Sequence, residues 1–358
     1  MPPPKSRYRE VARSANVSLA TVYRVIGRDG RVAPELAARI RRAAGELGVD
    51  LVSKARRPRV FTFLLANRPM LHPFHARVLV GAQAYCAERN SLILFLPLQY
   101  SPNVPFDREQ VPYLFRKPGS VDGFIVGGTN TRNLLDFLVD IRVPFAVLAN
   151  NVMDEWEPEK YDAVWMDDVG GLSEATRHLL SLGHRDVWYI GSRRFPMVRA
   201  IRGYQQAMQS AGLPERVSEC TSDDERESGY LAVKSILSGG ERVSAIVTQN
   251  DSIAQGAYQA LRAAGLRIPE DVSVVGVGDR PEAAALDPPL TTVWGFPDQV
   301  GRCLAELVLR RQECPELLPQ QTIVPMQLIM RQSCARVNVT TAQVHVGQKQ
   351  IFNATKMR

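Results

Sequence analysis

Residues 10–26 carry the sequence "EVARSANVSLATVYRVI", in which two short helical patterns meet at a break. The first pattern covers residues 9–14 and stops before Asn16, a residue that tolerates the left-handed conformation needed in a tight turn between helices. Ser18 then caps a second helix, because its side-chain oxygen can accept a hydrogen bond from the backbone N–H of Thr21. The stretch therefore predicts helix, tight turn and helix.

The second helix has a buried and an exposed face. Val22, Val25 and Ile26 recur at helical spacing and form the inward stripe. The predicted outward-facing residues are Leu19, Ala20, Tyr23 and Arg24.

A third helix is predicted from Pro34, which suits a first helical turn, to Gly48, which ends it. Its predicted inward residues are Leu36, Ile40, Ala43, Ala44 and Leu47. Its predicted outward residues are Arg39, Arg41 and Arg42.

Positive charge is concentrated in this N-terminal part. The chain of 358 residues has a net charge of +7, and residues 1–60 hold 14 Lys and Arg against 5 Asp and Glu. The remaining residues hold 30 against 32, so the excess lies in the first sixth of the chain. A basic module on a near-neutral body indicates a head that binds a polyanion, whereas a solvated basic arm is the alternative.

Helix, turn, helix and a third packing helix form the helix-turn-helix plan, whose second helix enters the DNA major groove. Leu19 and Ala20 are placed to reach base edges and thymine methyl groups, and Arg24 can donate two hydrogen bonds to guanine. The hydroxyl groups of Ser18, Thr21 and Tyr23 can donate hydrogen bonds to phosphate oxygens. An ordinary helical subdomain with an exposed Leu and Tyr is the alternative. The candidate DNA-binding residues here are Ser18, Leu19, Ala20, Thr21, Tyr23 and Arg24.

From Val60 the chain alternates short apolar runs with helical patterns. The runs include "RVFTFLLA" (59–66), "SLILFLPL" (91–98) and "VSVVGVG" (272–278). Strands that are apolar throughout and separated by helices predict parallel sheets covered on both faces, here in two doubly wound lobes. Ligands of such folds bind at the carboxyl ends of the strands, which places a site in the cleft between the lobes. Further strands are predicted at 121–128, 144–149, 186–191 and 244–250, and helices at 74–90, 171–183, 198–212, 229–240 and 252–265.

The stretch "EVARSANVSLATVYRVI" closely resembles the N-terminal helix-turn-helix of the lactose-repressor (LacI/GalR) family of bacterial transcription regulators. "IPEDVSVVG" followed by "LDPPLTTV" is similar to later family blocks and very specific. The resemblance implies an N-terminal all-α helix-turn-helix head plus an α/β periplasmic-binding-protein-like body of two lobes. It also implies a homodimeric regulator, expected to be a repressor, that binds a near-palindromic double-stranded DNA operator. A small-molecule effector, a sugar or sugar derivative, is expected in the cleft.

Four segments follow from these patterns. They are a DNA-binding domain at 1–50, a hinge or linker at 51–59, a two-lobed effector-binding and dimerisation domain at 60–334, and a flexible basic tail at 335–358.

The hinge departs from the family pattern. The family usually places there a leucine that wedges into the minor groove, whereas this sequence has Pro58, which cannot supply a long wedge and ends a helix. Lys54, Arg56 and Arg57 remain candidate DNA-binding residues that hold phosphates or enter a narrow minor groove. We therefore expect DNA binding with a weaker or different bend.

The cleft also departs from the sugar-binding members of the family. Ala149, Ala200 and Gly278 stand where those members usually have charged residues that hold the ligand. A segment with four prolines (99–119) is expected at the cleft rim or the dimer face, where it narrows the pocket. The candidate effector-binding residues that remain are His72, Phe74, Arg199, Asp224, Asn250 and Asp279.

Several function classes are excluded or disfavoured. No long apolar run or secretory h-region is present, so we expect a cytoplasmic protein without a membrane span. The five scattered cysteines and five histidines show no metal spacing, and no phosphate-binding loop or nucleophile elbow occurs, so neither an enzyme nor a cofactor is expected. Two alternatives stay open: an effector-independent regulator of the same type with a degenerate pocket, and a solute-binding protein without a DNA function.

Overall fold

The computed structural model describes residues 4–26, 32–49, 51, 58–68, 73–102, 104, 106, 112, 119–153, 157–192, 199–220, 222 and 224–337. The chain divides into two compact units: residues 1–60 with 90–92, and residues 61–89 with 93–358. We call the first unit the head and the second the body, and we count the two strands that begin at Arg59 and Ser91 wholly with the body.

The head packs three helices around one apolar core. Val11, Val22 and Ile40, one from each helix, are fully buried. The predicted inward stripe of the second helix is confirmed, but Leu47 is 41% exposed and Ala37 takes a core position instead. Leu47 follows the last helical residue as its C-cap, so the helical spacing no longer holds there. The helices are α1 (Pro4–Ser14), α2 (Leu19–Ile26) and α3 (Pro34–Glu46).

The turn between α1 and α2 has the predicted geometry. Asn16 has a φ of 49°, in the left-handed region. The Ser18 Oγ accepts a hydrogen bond of 3.1 Å from the backbone N–H of Thr21. Gly48, with a φ of 58°, follows α3 in the left-handed conformation that glycine permits. Local sequence therefore determines both the turn between α1 and α2 and the end of α3.

The body contains two lobes, each built on a six-stranded sheet. In lobe 1 the strand order is β11-β5-β4-β3-β1-β2. These strands are β1 (Arg59–Ala66), β2 (Ser91–Leu98), β3 (Gly123–Gly128), β4 (Phe145–Leu148), β5 (Asp162–Met166) and β11 (Gln321–Val324). The helices packed on this sheet are α4 (Pro73–Ala87), α5 (Arg132–Asp140) and α11 (Pro297–Glu313).

Lobe 2 has the strand order β12-β10-β9-β8-β6-β7, with β12 antiparallel to β10. Its strands are β6 (Val187–Gly191), β7 (Arg216–Glu219), β8 (Ala245–Thr248), β9 (Ser273–Val277), β10 (Thr291–Trp294) and β12 (Gln327–Ile329). Its helices are α6 (Asp168–Ser181), α7 (Ala200–Ser210), α8 (Glu225–Ser238), α9 (Asp251–Ala263) and α10 (Pro281–Ala285).

The central strands of each sheet are buried on both faces, which explains why they are apolar throughout. In β1, Phe61, Phe63 and Leu65 belong to one core cluster, and the alternate residues Leu64 and Ala66 belong to the other. Successive side chains of a strand point to opposite faces, so an uninterrupted apolar run fills two cores at once. The predicted fold class is confirmed.

Helices α4 and α11 approach each other closely through glycine. A Cβ on Gly81 would overlap the backbone of Asp298, and a Cβ on Gly301 would overlap the carbonyl oxygen of Val78. The two contacts are reciprocal, so each helix presents a glycine to the backbone of the other. Lobe 1 therefore contains a helix pair that tolerates no side chain at its crossing point.

The chain passes between the lobes three times. It leaves lobe 1 after Met166, returns after Trp294, and leaves again after Val324. We call the short segments that follow these residues the three connections. Neither lobe is therefore continuous in sequence.

Among the described residues no helix is long and apolar enough to cross a membrane. The five cysteines are free: Cys86 is buried, and the half-buried ones are Cys220, Cys303, Cys314 and Cys334.

Candidate DNA-binding surface and candidate ligand cavity

The outer side of α2 forms the candidate DNA-binding surface of the head. Ala20, Tyr23 and Arg24 are exposed, as predicted. Leu19 departs from the prediction, because it is half-buried and packs against the head core. This leaves part of its side chain available for a base contact.

The hydroxyl groups of α2 are already ordered by local contacts. The Ser18 and Thr21 hydroxyls lie 2.8 Å apart, so each is positioned before any DNA binds. The Tyr23 ring contacts Tyr8 of α1 edge-on, with 5.8 Å between ring centroids. Sequence reasoning missed Tyr8, and no spacing signal linked two tyrosines on different helices.

Four predicted site residues lie outside the described part of the chain: Lys54, Arg56, Arg57 and His72. Their assigned roles stay predictions.

A cavity of about 220 Å³ lies between the two lobes of the body. All three connections contribute to its walls, through Asp168, Gly295 and Met326 and their neighbours. Many of its other lining residues lie within two positions of the carboxyl end of a strand, as the carboxyl-end rule for such sheets requires. These include Asn150 after β4 and Gln249 after β8.

Three of the predicted effector-binding residues line this cavity: Phe74, Asn250 and Asp279. Asn250 caps α9 by accepting a hydrogen bond of 3.0 Å from the Ile253 N–H, and its amide donates one of 2.9 Å to Glu225 Oε1. Asp279 accepts a hydrogen bond of 2.6 Å from Arg331. The polar groups of the wall are thus held in fixed orientations before a ligand arrives.

Asp224 and Arg199 are not among the lining residues. Asp224 caps α8, and its Oδ1 accepts hydrogen bonds of 2.8 and 3.0 Å from two backbone N–H groups, so Glu225 faces the cavity instead. The Arg199 guanidinium lies 4.2 Å from the ring centroid of Trp165 and its Nε lies 3.8 Å from Asp168 Oδ1. Both side chains are therefore engaged in contacts within the protein.

The four-proline segment 99–119 was predicted at the cleft rim or the dimer face, and its place at a dimer face stays a prediction. Its described residues Tyr100 and Phe106 pack against the lobe 1 core, where Phe106 stacks on Phe137 with 5.1 Å between ring centroids. None of the described residues of this segment lines the cavity.

The formal charges of the side chains that line the cavity sum to zero. Arg280 lies 3.8 Å from Glu225, and Arg77 forms an ion pair with Asp298. Arg68 has no ion pair with any residue that the structure describes, and its Nε is buried. A balanced wall with amide and aromatic groups suits a neutral polar ligand better than a strongly charged one. The charged lining residues are Arg68, Arg77 and Arg280 against Asp168, Glu225 and Asp279.

Of two carboxyl groups at or near the cavity, that of Asp251 is buried and that of Asp168, in the wall, is half-buried. Burial raises the pKa of the Asp168 carboxyl above its usual range, although Asn150 and Arg199 oppose the shift. Burial also raises the pKa of Asp251, opposed by a hydrogen bond of 2.6 Å from the Thr292 hydroxyl and one of 2.9 Å from the Arg280 N–H. The fold thus holds Asp251 in an environment that penalises its charged form.

This burial predicts a specific pH dependence for the variant Asp251→Asn. Because the pKa of Asp251 is higher in the folded than in the unfolded protein, its contribution to stability is greatest at low pH and is lost as pH rises through the folded pKa. The free energy of unfolding of the parent, minus that of Asp251→Asn, should therefore fall as pH rises from below 4. Urea denaturation across this range measures it, and a difference independent of pH would contradict the prediction.

Comparison with known proteins agrees with this geometry. Residues 8–49 match the family described as "Bacterial regulatory proteins, lacI family", and residues 176–334 match a "Periplasmic binding protein-like domain". The ribose operon repressor of Escherichia coli (strain K12) is 30% identical over 328 residues, which cover 87% of this chain and 95% of the relative.

Two solved structures are also similar. One is a transcriptional regulator CelR–cellobiose complex, with 25% identity, a TM-score of 0.64, and coverage of 91% of this chain and 99% of that chain. The other is a LacI family transcriptional regulator from Enterococcus faecalis V583 with bound ribose, with 26% identity, a TM-score of 0.62, and coverage of 78% and 100%. With its helix-turn-helix head and two-lobed body, the chain belongs to the LacI family of bacterial transcription regulators, which bind DNA.

Proposed function

We propose that this regulator is a homodimeric repressor that acts in the cytoplasm, without catalytic activity, and whose operator binding is controlled by a neutral sugar in the inter-lobe cavity. Two heads would place two copies of α2 in successive major grooves of a near-palindromic operator. We assign base contacts to Leu19, Ala20 and Arg24, and phosphate contacts to Ser18, Thr21 and Tyr23. The hinge residues Lys54, Arg56 and Arg57 are assigned to the DNA backbone or the minor groove.

One observation supports the proposal that a ligand controls the protein: residues of both lobes and of all three connections line one cavity. A ligand in that cavity contacts groups whose relative positions depend on the lobe arrangement. It therefore binds one arrangement more tightly than another, which is the condition for an effector to shift an equilibrium.

The chemistry of the wall supports a sugar of monosaccharide size. The cavity of about 220 Å³ is smaller than the roughly 300–1,000 Å³ of pockets for drug-sized ligands. Its balanced charges favour a neutral molecule, and its amides and carboxylates suit hydroxyl groups. The ribose operon repressor and the ribose-bound regulator described above make ribose the first compound to test.

The edge of lobe 1 supports the homodimer. β2 is an edge strand of its sheet, and its large apolar residues Leu94 and Phe95 are each 42% exposed. Consecutive strand residues point to opposite faces, so this edge offers apolar surface on both sides. A second copy of the chain would cover it.

A thermal-shift screen tests the proposed effector. The panel contains ribose, other neutral monosaccharides, cellobiose and ribose 5-phosphate. A sugar present at 100 times its dissociation constant should add about 2.7 kcal/mol to the free energy of unfolding. Phe74→Ala, in the cavity wall, should remove the shift, whereas Phe106→Ala, in the same lobe but outside the wall, should keep it.

The same screen decides between this proposal and an effector-independent regulator. Ala149, Ala200 and Gly278 give the cavity no charged ligand-holding groups at those positions, which is the observation that favours the alternative. No shift from any compound, together with operator binding in a mobility-shift assay, would establish the alternative. A failure to bind any selected DNA duplex would overturn both.

A further inference from the structure

Two tryptophans stand immediately before connections between the lobes. Trp165 is the penultimate residue of β5 in lobe 1, and Trp294 is the last residue of β10 in lobe 2. Both rings are half-buried, so each keeps one part of its surface for a neighbour.

An arginine from the opposite lobe lies over each ring. Arg199, the residue before α7 in lobe 2, has its guanidinium carbon 4.2 Å from the centroid of Trp165 in lobe 1. Arg77, on α4 of lobe 1, has its guanidinium carbon 4.5 Å from the centroid of Trp294 in lobe 2. The two contacts therefore cross the lobe boundary in opposite directions.

Each arginine is also held by a carboxylate beside a connection. Arg199 Nε lies 3.8 Å from Oδ1 of Asp168, the first residue of α6, and Arg77 forms an ion pair with Asp298 at the start of α11. We call Arg199, Trp165 and Asp168 the Trp165 bridge. We call Arg77, Trp294 and Asp298 the Trp294 bridge.

Other contacts fix the rings themselves. The Trp165 indole N–H donates a hydrogen bond of 3.0 Å to Gln321 Oε1, and the Gln321 amide donates bonds of 3.0 and 2.8 Å to the carbonyl oxygens of Pro158 and Tyr161. Trp165 is thus anchored within its own lobe, to β11 and to the segment that precedes β5. If the lobes separate, Trp165 stays with lobe 1, so Arg199 of lobe 2 must leave the Trp165 ring.

Both bridges reach the ligand cavity. Asp168 from the first bridge, and Arg77 and Trp294 from the second, are lining residues. We propose that the two bridges hold the lobes in the arrangement described here, and that the effector strengthens this arrangement by contacting Asp168 and Trp294, one member of each bridge. The second part of this inference rests on the proposed effector function.

The expected strength of each bridge is modest, which suits a switch. A partly exposed cation–π contact stabilises its geometry by roughly two- to fivefold in an equilibrium constant. Because the bridges lie at different connections and share no residue, their effects should multiply. Loss of both is therefore expected to make lobe opening about tenfold more frequent.

Hydrogen exchange followed by mass spectrometry on the full chain tests the bridges. In Arg199→Met, amides of the distant connection at 291–297 should exchange about threefold faster, and in Arg77→Met the same should hold at 163–168. The double variant should show about tenfold at both connections. Reading each variant at the other connection matters, because a purely local role would not change exchange there.

Arg216→Met is the matched control. Arg216 lies 5.8 Å from the centroid of Trp188, but both residues belong to lobe 2, so their contact does not cross the boundary. This variant should leave exchange at both connections unchanged. Acceleration confined to the mutated connection, or equal acceleration in Arg216→Met, would overturn the bridges.

Ribose separates the two parts of the inference. Saturating ribose should slow exchange at both connections in the parent and should restore the parent's protection in Arg199→Met, whose altered residue does not line the cavity. If ribose and the rest of the sugar panel leave the parent unchanged, the proposed effector fails, while the ligand-free exchange rates still decide whether the bridges hold the lobes.

Discussion

Replacing Arg24 by alanine should weaken operator binding by roughly 1–3 kcal/mol, about five- to 150-fold, and relax specificity at one base pair. Arg24 is exposed in the last turn of α2, and the neighbouring Tyr23 is braced by Tyr8. A guanidinium in that place can donate two parallel hydrogen bonds to guanine, which alanine cannot replace. The measurement is a mobility-shift titration on a duplex selected from a random library, repeated with each single base-pair change.

Arg42→Ala is the matched control for this prediction. It removes the same charge from the same unit, but Arg42 lies on α3, outside the helix assigned to the major groove. It should weaken binding to operator and to random duplex by the same small factor, because only the general electrostatic attraction is reduced. Equal losses of specificity in both variants would exclude a base contact by Arg24.

Gly301→Ala should lower the free energy of unfolding of the body by about 3 kcal/mol. The added Cβ would overlap the Val78 carbonyl oxygen, which belongs to the backbone of α4 and cannot turn aside like a side chain. The helices must therefore separate, with loss of the packing between them, and overpacking of this kind costs about 1–3 kcal/mol or more. Urea denaturation followed by tryptophan fluorescence measures the body alone, since all four tryptophans lie beyond residue 60.

Gly45→Ala is the matched control, because it makes the same substitution at a position where space is available. Gly45 lies in α3, and no atom comes within 4 Å of the position of the added Cβ. The fluorescence transition of the body should not move, while the head gains up to about 1 kcal/mol because alanine favours the helix. A loss below about 0.5 kcal/mol in Gly301→Ala would show that α4 and α11 can shift apart without cost.

The sequence alone was sufficient to predict the helix-turn-helix and most of the central strands. Those features depend on neighbours in the chain, such as Ser18 and Thr21 or the apolar run of β1. It did not predict β5, α5 or α11. The lobe that α11 joins depends on its contact with α4, more than 200 residues earlier, and no local pattern contains that information.

The same dependence on distant parts of the chain explains which cavity residues could be predicted from the sequence and which could not. Asn250 and Asp279 follow strands that were predicted, so the carboxyl-end rule placed them in the wall. Asp168 follows β5, which was not predicted, and was missed with it. Arg199 was a candidate effector-binding residue, but its side chain stacks on Trp165 of β5, a strand of the other lobe that was not predicted.

The three connections have a consequence for the order in which the protein forms during synthesis. The helical core of the head is complete once the first 51 residues have left the ribosome. The lobe 1 sheet lacks an edge strand until residue 324 has been made, and the lobe 2 sheet until residue 329. A nascent chain therefore carries a finished DNA-binding module for most of its translation, while the lobes that regulate it complete their sheets almost together at the end.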